Sequence, residues 1–225
     1  MPELRIIDFR DLNFFFYDLI FVNMNTESFI KKYFAINKAI YDGAMNPLRS
    51  HGPDHHMRVL RNALKLAKGR DADLEILIPA CLLHDISAYF PEEVGDNYHD
   101  EDPKRAEKIL HKNVFPKEKI DVVVDAIANH GSAGEFKTKR ISEESKILCD
   151  ADKLDVFGPI GVARIIMVKT LRGGTLNDVV EDFYAKGHLL RKWNGMSNRA
   201  KKIGKKDFEY SMQFLKSLAK KLEAK

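Results

Sequence analysis

The run Leu74-Glu-Ile-Leu-Ile-Pro-Ala-Cys-Leu-Leu83 is apolar at nearly every position, and it ends in two adjacent ionisable residues, His84 and Asp85. Burying that pair with no partner would cost several kcal/mol. A divalent cation satisfies both at once, with an imidazole nitrogen and a carboxylate oxygen as ligands. A plain His–Asp hydrogen bond would serve as well, so the pair alone leaves the two readings level. Three other places weigh toward the cation. In His51-Gly-Pro-Asp-His55-His56-Met-Arg58-Val59, His55 shares a helical face with Val59, Ala63 and Leu66 and should point inward. His56 shares a face with Leu60 and Ala67, so periodicity does not choose between the two histidines. In Cys149-Asp-Ala-Asp-Lys-Leu-Asp155, three carboxylates surround Leu154, and Asp152 and Asp155 are neighbours on a helix at i, i+3. An acidic surface turn is the ordinary alternative there. His99 and His130 each stand beside an expected helix terminus.

In order along the chain, H-x-x-R-V at 55–59, H-D at 84–85, His99, N-H-G at 129–131 and D-A-D-K-L-D at 150–155 resemble the HD-domain phosphohydrolase superfamily. Within it, the chain looks most like the small stand-alone bacterial and archaeal HD hydrolases, over residues 26–222. An H-D dipeptide alone carries little; the ordered set is specific. The resemblance implies a helical bundle. It matches His55, His84, Asp85 and Asp152 to four metal ligands, with Asp150 the near alternative to Asp152. It matches His99 and His130 to positions that bind a second metal or touch substrate phosphate in some members. Arg58 and Lys153, next to ligands, are candidates for phosphate contact, with surface or supporting salt bridges as the equal alternative. The expected cofactor is a divalent ion (Mn, Mg, Fe, Co, Ni or Zn). The expected reaction is hydrolysis of a phosphate ester or phosphoanhydride of a small molecule, a nucleotide or related phosphate. Asp85 would accept a proton from water, and His130 or His99 would serve the leaving oxygen. Two rival readings stand beside it: a di-iron oxygenase on the same scaffold, and a non-catalytic binding module that keeps the metal. The chain departs from the family pattern at Asp207, where a basic residue is common. Ser87 and Ala88 stand where some nucleotidases carry a catalytic Glu, which argues against a deoxynucleotidase.

The elements needed to position these residues read as an all-α fold. Of the 225 residues, 44% are hydrophobic and 31% charged, the balance of a soluble globular chain with one sizeable core. We expect an appendage at 1–25 and one domain over 26–225. Thr26 should cap a helix through Ile40, Asp54 one through Ala67, and Asp73 the buried one, with a kink at Pro79. Asp102–Pro103 should open the next, Pro116 another toward His130, and Ser142 one through Lys153 to Val156. After the Gly158–Pro159 interruption a helix runs from Gly161 to Leu171. Two more follow, from Thr175 to Arg191 and from Ser197 to Leu222, the last with one apolar stripe at Phe208, Met212, Leu215, Leu218 and Leu222. A loop is expected at 131–139. Phe14–Val22 is apolar but carries Asp18 and falls short of the roughly 20 residues of a membrane span. Its aromatic and branched residues favour strands, with a hairpin around Arg10–Asn13; an exposed apolar strand pair would seek a partner, making a homodimer an expectation.

Cys81 and Cys149 show no metal-like spacing and suit buried reduced thiols in the cytoplasm. Residues 186–225 hold 12 Lys/Arg against 3 Asp/Glu. A solvated helix face is a more common explanation of such a balance than a nucleic-acid surface. The expected partner is therefore a small phosphorylated substrate, with neither membrane nor nucleic acid.

Overall fold

The computed structural model describes residues 24–45, 47, 49–94, 98–130 and 142–223. The hairpin expected around Arg10–Asn13 and the loop expected at 131–139 lie outside the described residues. No strand occurs among the described residues; the fold is all-α. Besides a single helical turn at Pro91–Val94, its helices are α1 (Met24–Gly43), α2 (Pro53–Ala67), α3 (Leu74–Leu83), α4 (Tyr98–Lys112), α5 (Lys117–His130), α6 (Glu143–Leu154), α7 (Gly158–Leu171), α8 (Leu176–Val179), α9 (His188–Asn194) and α10 (Asn198–Glu223). Short 3-10 turns at Arg49–His51 and Ile86–Tyr89 lie before α2 and after α3.

The core is built around α3. Every residue from Ile76 to Leu83 is buried, because α1, α2, α5 and α6 all pack on it. That is what an apolar helix without a polar face requires. Its start follows the expected chemistry: the Asp73 side chain accepts from the Glu75 N–H at 2.8 Å. Pro79 does not interrupt it, and the helix runs through to Leu83. Helix α1 lays Ile30, Tyr33 and Asn37 against the core on one face. The Asn37 amide donates to the Leu82 carbonyl at 2.7 Å, satisfying an acceptor that the end of α3 leaves open.

Five expected boundaries shift. Helix α1 runs from Met24 to Gly43, so Thr26 lies inside it instead of capping it. Helix α2 is capped at Gly52 with Pro53 in its first turn, so Asp54 lies inside. Helix α4 begins at Tyr98 and carries Asp102 and Pro103 within it. There Asp102 turns inward and accepts from the Ser87 N–H at 2.7 Å, serving the turn after α3 instead of its own helix start. Helix α7 starts at Gly158, not Gly161. The helix expected over 175–191 is broken: α8 passes into a π-helical turn, Val180–Ala185, and Gly187 adopts φ 69° before α9, a conformation that favours glycine.

The last helix presents the expected stripe as far as Leu218, while Leu222 is exposed. Leu215 is fully buried and Phe208 and Met212 pack on the core, while Lys202, Lys205 and Lys206 are exposed. The basic tail is thus largely the solvated side of α10. Both cysteines are free and buried. No helix among the described residues is long and apolar enough to cross a membrane.

Candidate metal centre

Four residues from three elements converge on one point. His55 comes from the first turn of α2, His84 and Asp85 from the end of α3, and Asp152 from the last turn of α6. His55 and His84 are fully buried, and Asp85 is nearly so. The two imidazole Nε2 atoms lie 3.2 Å apart. Asp85 Oδ2 is 3.5 Å from His55 Nε2 and 3.7 Å from that of His84. Asp152 Oδ1 stands 3.7 and 3.9 Å from the same two nitrogens. All four ligand atoms fall within 4.8 Å of one another.

The outer nitrogens reveal what the inner ones are. His84 Nδ1 faces the Cys81 carbonyl at 2.8 Å, so it must carry the hydrogen and donate. His55 Nδ1 donates to Asp155 Oδ2 at 2.7 Å. In the neutral rings each Nε2 is then a bare lone pair. Two lone pairs and two carboxylate oxygens converge with no donor between them. Only a cation or a shared proton satisfies such a set, and fixing the outer ring nitrogen is how proteins orient a metal-binding histidine. The donors therefore fit a divalent ion.

Charge follows the same logic. Burial pushes His84 down to about 4. Burial and Arg164 oppose the proton on His55, but its bonds to Asp155 and Asp85 outweigh them and raise it. Burial also works against ionised Asp85, yet His84, His130, His55 and His99 together hold its carboxyl well below the usual range.

A second group shares Asp85. Its Oδ1 lies 3.1 Å from His130 Nε2 and 3.4 Å from His99 Nδ1, and these three could hold a cation of their own. His130 Nδ1 donates to the Ile127 carbonyl, so its Nε2 faces Asp85 either protonated or as a ligand. Burial opposes the charge, but the bond to Asp85 prevails and raises His130 to about 9.

The other expected site residues are placed elsewhere. Asp150 faces away and accepts from the Ser197 N–H at 3.1 Å; the structure brings Asp152, not Asp150, to the cluster. Arg58 donates through Nε to Asp155 Oδ1 at 2.7 Å and through Nη1 to Asp54. Its guanidinium is committed to protein carboxylates. Lys153 is buried and donates to the Gly195 carbonyl at 3.3 Å, joining α6 to the end of α9. For both, the structural salt-bridge or tether alternative is what the packing displays. A cavity of about 330 Å³ opens beside Arg49, Arg58 and Arg164, and none of the four cluster residues lines it.

Two residues at the site were given no role by sequence. Asp155 binds His55, Arg58 and Arg164 together, which holds its carboxyl low against the opposing effect of burial. Its signal was its place three residues after Asp152, on a turn that returns it to α2. His51 lies with Nε2 3.9 Å from Asp85 Oδ2, and burial takes it down to about 3. Its only trace in sequence is the His-x-x-x-His spacing with His55. His56, the neighbour that periodicity could not separate from His55, is also fully buried. It turns to the Gly52 carbonyl and to the Tyr89 hydroxyl, each 3.1 Å from Nδ1.

An all-α bundle that gathers histidines and aspartates from successive helices around one buried point defines the class. Residues 54–156 match the HD domain, and they include all four residues of the cluster. Over those residues the chain resembles the HD-domain family. It is similar to YpgQ, an uncharacterised protein of Bacillus subtilis (strain 168), with 29% identity over 182 residues, 76% of this chain and 85% of that one. The crystal structure of YpgQ in complex with ADP superposes with a TM-score of 0.69 at 23% identity, covering 89% of this chain and 98% of that one. An HD-superfamily hydrolase from Bacillus thuringiensis gives a TM-score of 0.64 at 24% identity, over 89% and 100% of the two chains.

Proposed function

We propose that this protein is a metal-dependent phosphohydrolase acting on a small phosphorylated molecule of nucleotide type. The observation that carries the reading is the convergence of His55 Nε2, His84 Nε2, Asp85 Oδ2 and Asp152 Oδ1, four acceptors with no donor between them. The HD domain, the hydrolase among its structural relatives and the ADP complex of YpgQ support the substrate class.

A divalent cation held there would acidify water and polarise a phosphoryl oxygen. The chain's own residues supply the rest. Hydrolysis forms a P–O bond to water and breaks the P–O bond to the leaving group. The proton lost by water is accepted at Asp85 Oδ1. His130 Nε2, 3.1 Å away and protonated at neutral pH, donates to the leaving oxygen. Proton transfer from Asp85 back to His130 then restores both. His99 stands on the open side of this pair, its side chain 41% exposed, where it can contact the substrate.

The test is phosphate release from a panel of nucleotides and phosphomonoesters with manganese, for the wild type and His130→Ala. Release by the wild type, reduced about 100-fold or more in the variant, supports the reading. A variant as active as the wild type removes His130 from the mechanism, and no release from any substrate sinks hydrolysis. The sharing of Asp85 by two ligand groups favours one alternative, a two-iron oxygenase. Bound iron with oxygen consumption and no phosphate release would select it.

A further inference from the structure

Helix α7 is apolar on more than one face. Gly161, Val162 and Ile165 are buried, and the helix packs on α10. Ile160, Ala163 and Met167, spaced three and four residues apart, form a second stripe on another side. That stripe is not core: Ile160 is 52% exposed and Met167 42%. An apolar stripe left open to water becomes a ligand surface where polar groups converge beside it.

Such groups stand beside this stripe. Ile160, Ala163 and Met167 form one wall of the cavity of about 330 Å³, and Arg49, Arg58 and Arg164 line the same space. Its size falls within that of small-molecule sites, about 300 to 1,000 Å³. Against three guanidiniums the lining sets one carboxylate, Asp54, which accepts from Arg58 Nη1. Asp155 serves both Arg58 and Arg164 from behind. Counting Asp155 still leaves a positive charge unbalanced. It falls to Arg49, whose exposed guanidinium has no hydrogen bond or ion pair among the described residues. Arg164 donates through Nε to the Ser50 carbonyl at 2.7 Å and through Nη1 to Asp155. Its Nη2 group has no acceptor among the described residues. The cavity thus sets an apolar wall beside charged donors that lack acceptors.

We infer that this cavity is a second ligand site, separate from the metal centre, for a small organic phosphate or phosphonate with an apolar body. The oxyanion meets Arg49 and Arg164, whose planar forks match its oxygens. The apolar body lies on Ile160 and Met167. None of the four cluster residues lines the cavity, so the inference does not rest on the phosphohydrolase reading. The two sites are nonetheless close in bonding terms. Arg58 and Arg164 hold Asp155, and Asp155 holds His55 by its outer nitrogen.

The experiment titrates phenylphosphonate, whose P–C bond resists hydrolysis, into the full-length protein by calorimetry. The proteins are manganese-loaded wild type and Asp85→Ala, each also carrying Arg49→Met or Ile160→Glu. Asp85→Ala removes the metal centre, so its isotherm reports the cavity alone; should it fail to fold, the same proteins without it, in EDTA, take its place. Arg49 and Ile160 are both exposed, so their replacement spares the core. Phenylphosphonate should bind Asp85→Ala at one site. Arg49→Met should weaken that binding about tenfold or more, the effect of losing a charge-assisted hydrogen bond. Ile160→Glu should do the same by setting a carboxylate on the apolar wall. Inorganic phosphate, which lacks the phenyl group, should bind about tenfold more weakly or worse. Binding that disappears with the metal centre overturns the inference, since the anion then sits on the metal. Equal affinity in the Arg49→Met and Ile160→Glu proteins overturns it too, as does inorganic phosphate binding as tightly as phenylphosphonate.

Discussion

At the scale of single residues, the outer partners of the ligands matter as much as the ligands. Asp155 holds His55 by its outer nitrogen while neutralising Arg58 and Arg164. Asp155→Ala should weaken manganese binding by about 10- to 100-fold. It should also destabilise the protein by about 3 kcal/mol, since two largely buried guanidiniums lose their carboxylate; calorimetric titration and thermal melts would show both, and wild-type manganese affinity would remove Asp155 from the site. Asp102 gives a prediction in pH. Burial, then the charge of Asp85, raise its carboxyl to about 8, above the roughly 3.9 of an unfolded Asp. The folded state therefore keeps a proton that the unfolded state releases. Its stabilising effect is full below pH ~4 and is lost as pH rises toward about 8. Asp102→Asn keeps an acceptor for the Ser87 N–H and removes the charge. In metal-free melts its advantage over the wild type should grow from pH ~4 to about 8 and then level off; a pH-independent difference would contradict this.

At the scale of elements, the turn between α6 and α7 delivers Asp152 and Asp155, and it depends on close backbone approach. A Cβ on Gly161 would stand 2.1 Å from the Val156 carbonyl oxygen. Gly161→Ala should cost at least 2 to 3 kcal/mol, in the range of severe overpacking, and lower manganese affinity with it. A near-wild-type melt would show that the turn relaxes freely. The same elements explain what sequence could and could not tell. Helix α3 was legible because an apolar run capped by Asp73 has few other solutions, and the His84–Asp85 pair at its end followed. The starts of α2 and α4 were misread because Asp54 and Asp102 have the chemistry of caps. In the fold, Gly52 with Pro53 takes the first role, and Asp102 is drawn into the core by the Ser87 N–H. The choice of His55 over His56, and of Asp152 over Asp150, depends on which neighbour each side chain meets across helices, and a helical period carries no such information.

For the whole molecule, a metal that binds only the folded state adds to its stability. At a free concentration 100 times Kd the gain is about 2.7 kcal/mol. For a chain of this length that is a rise in Tm of roughly 5 to 11 °C. Melting in manganese should exceed melting in EDTA by this amount, and the difference should vanish in Asp85→Ala. The bundle also explains why the gain is global: the ligands come from α2, α3 and α6, which pack on one another around the core. A cation at their junction links them directly.

The most direct test of the metal centre is the anomalous diffraction of a crystal grown with manganese. The four-residue site requires a peak about 2.0 to 2.3 Å from His55 Nε2, His84 Nε2 and the nearest oxygens of Asp85 and Asp152. A peak bound by other residues, or none at a manganese concentration that saturates binding in solution, would contradict it.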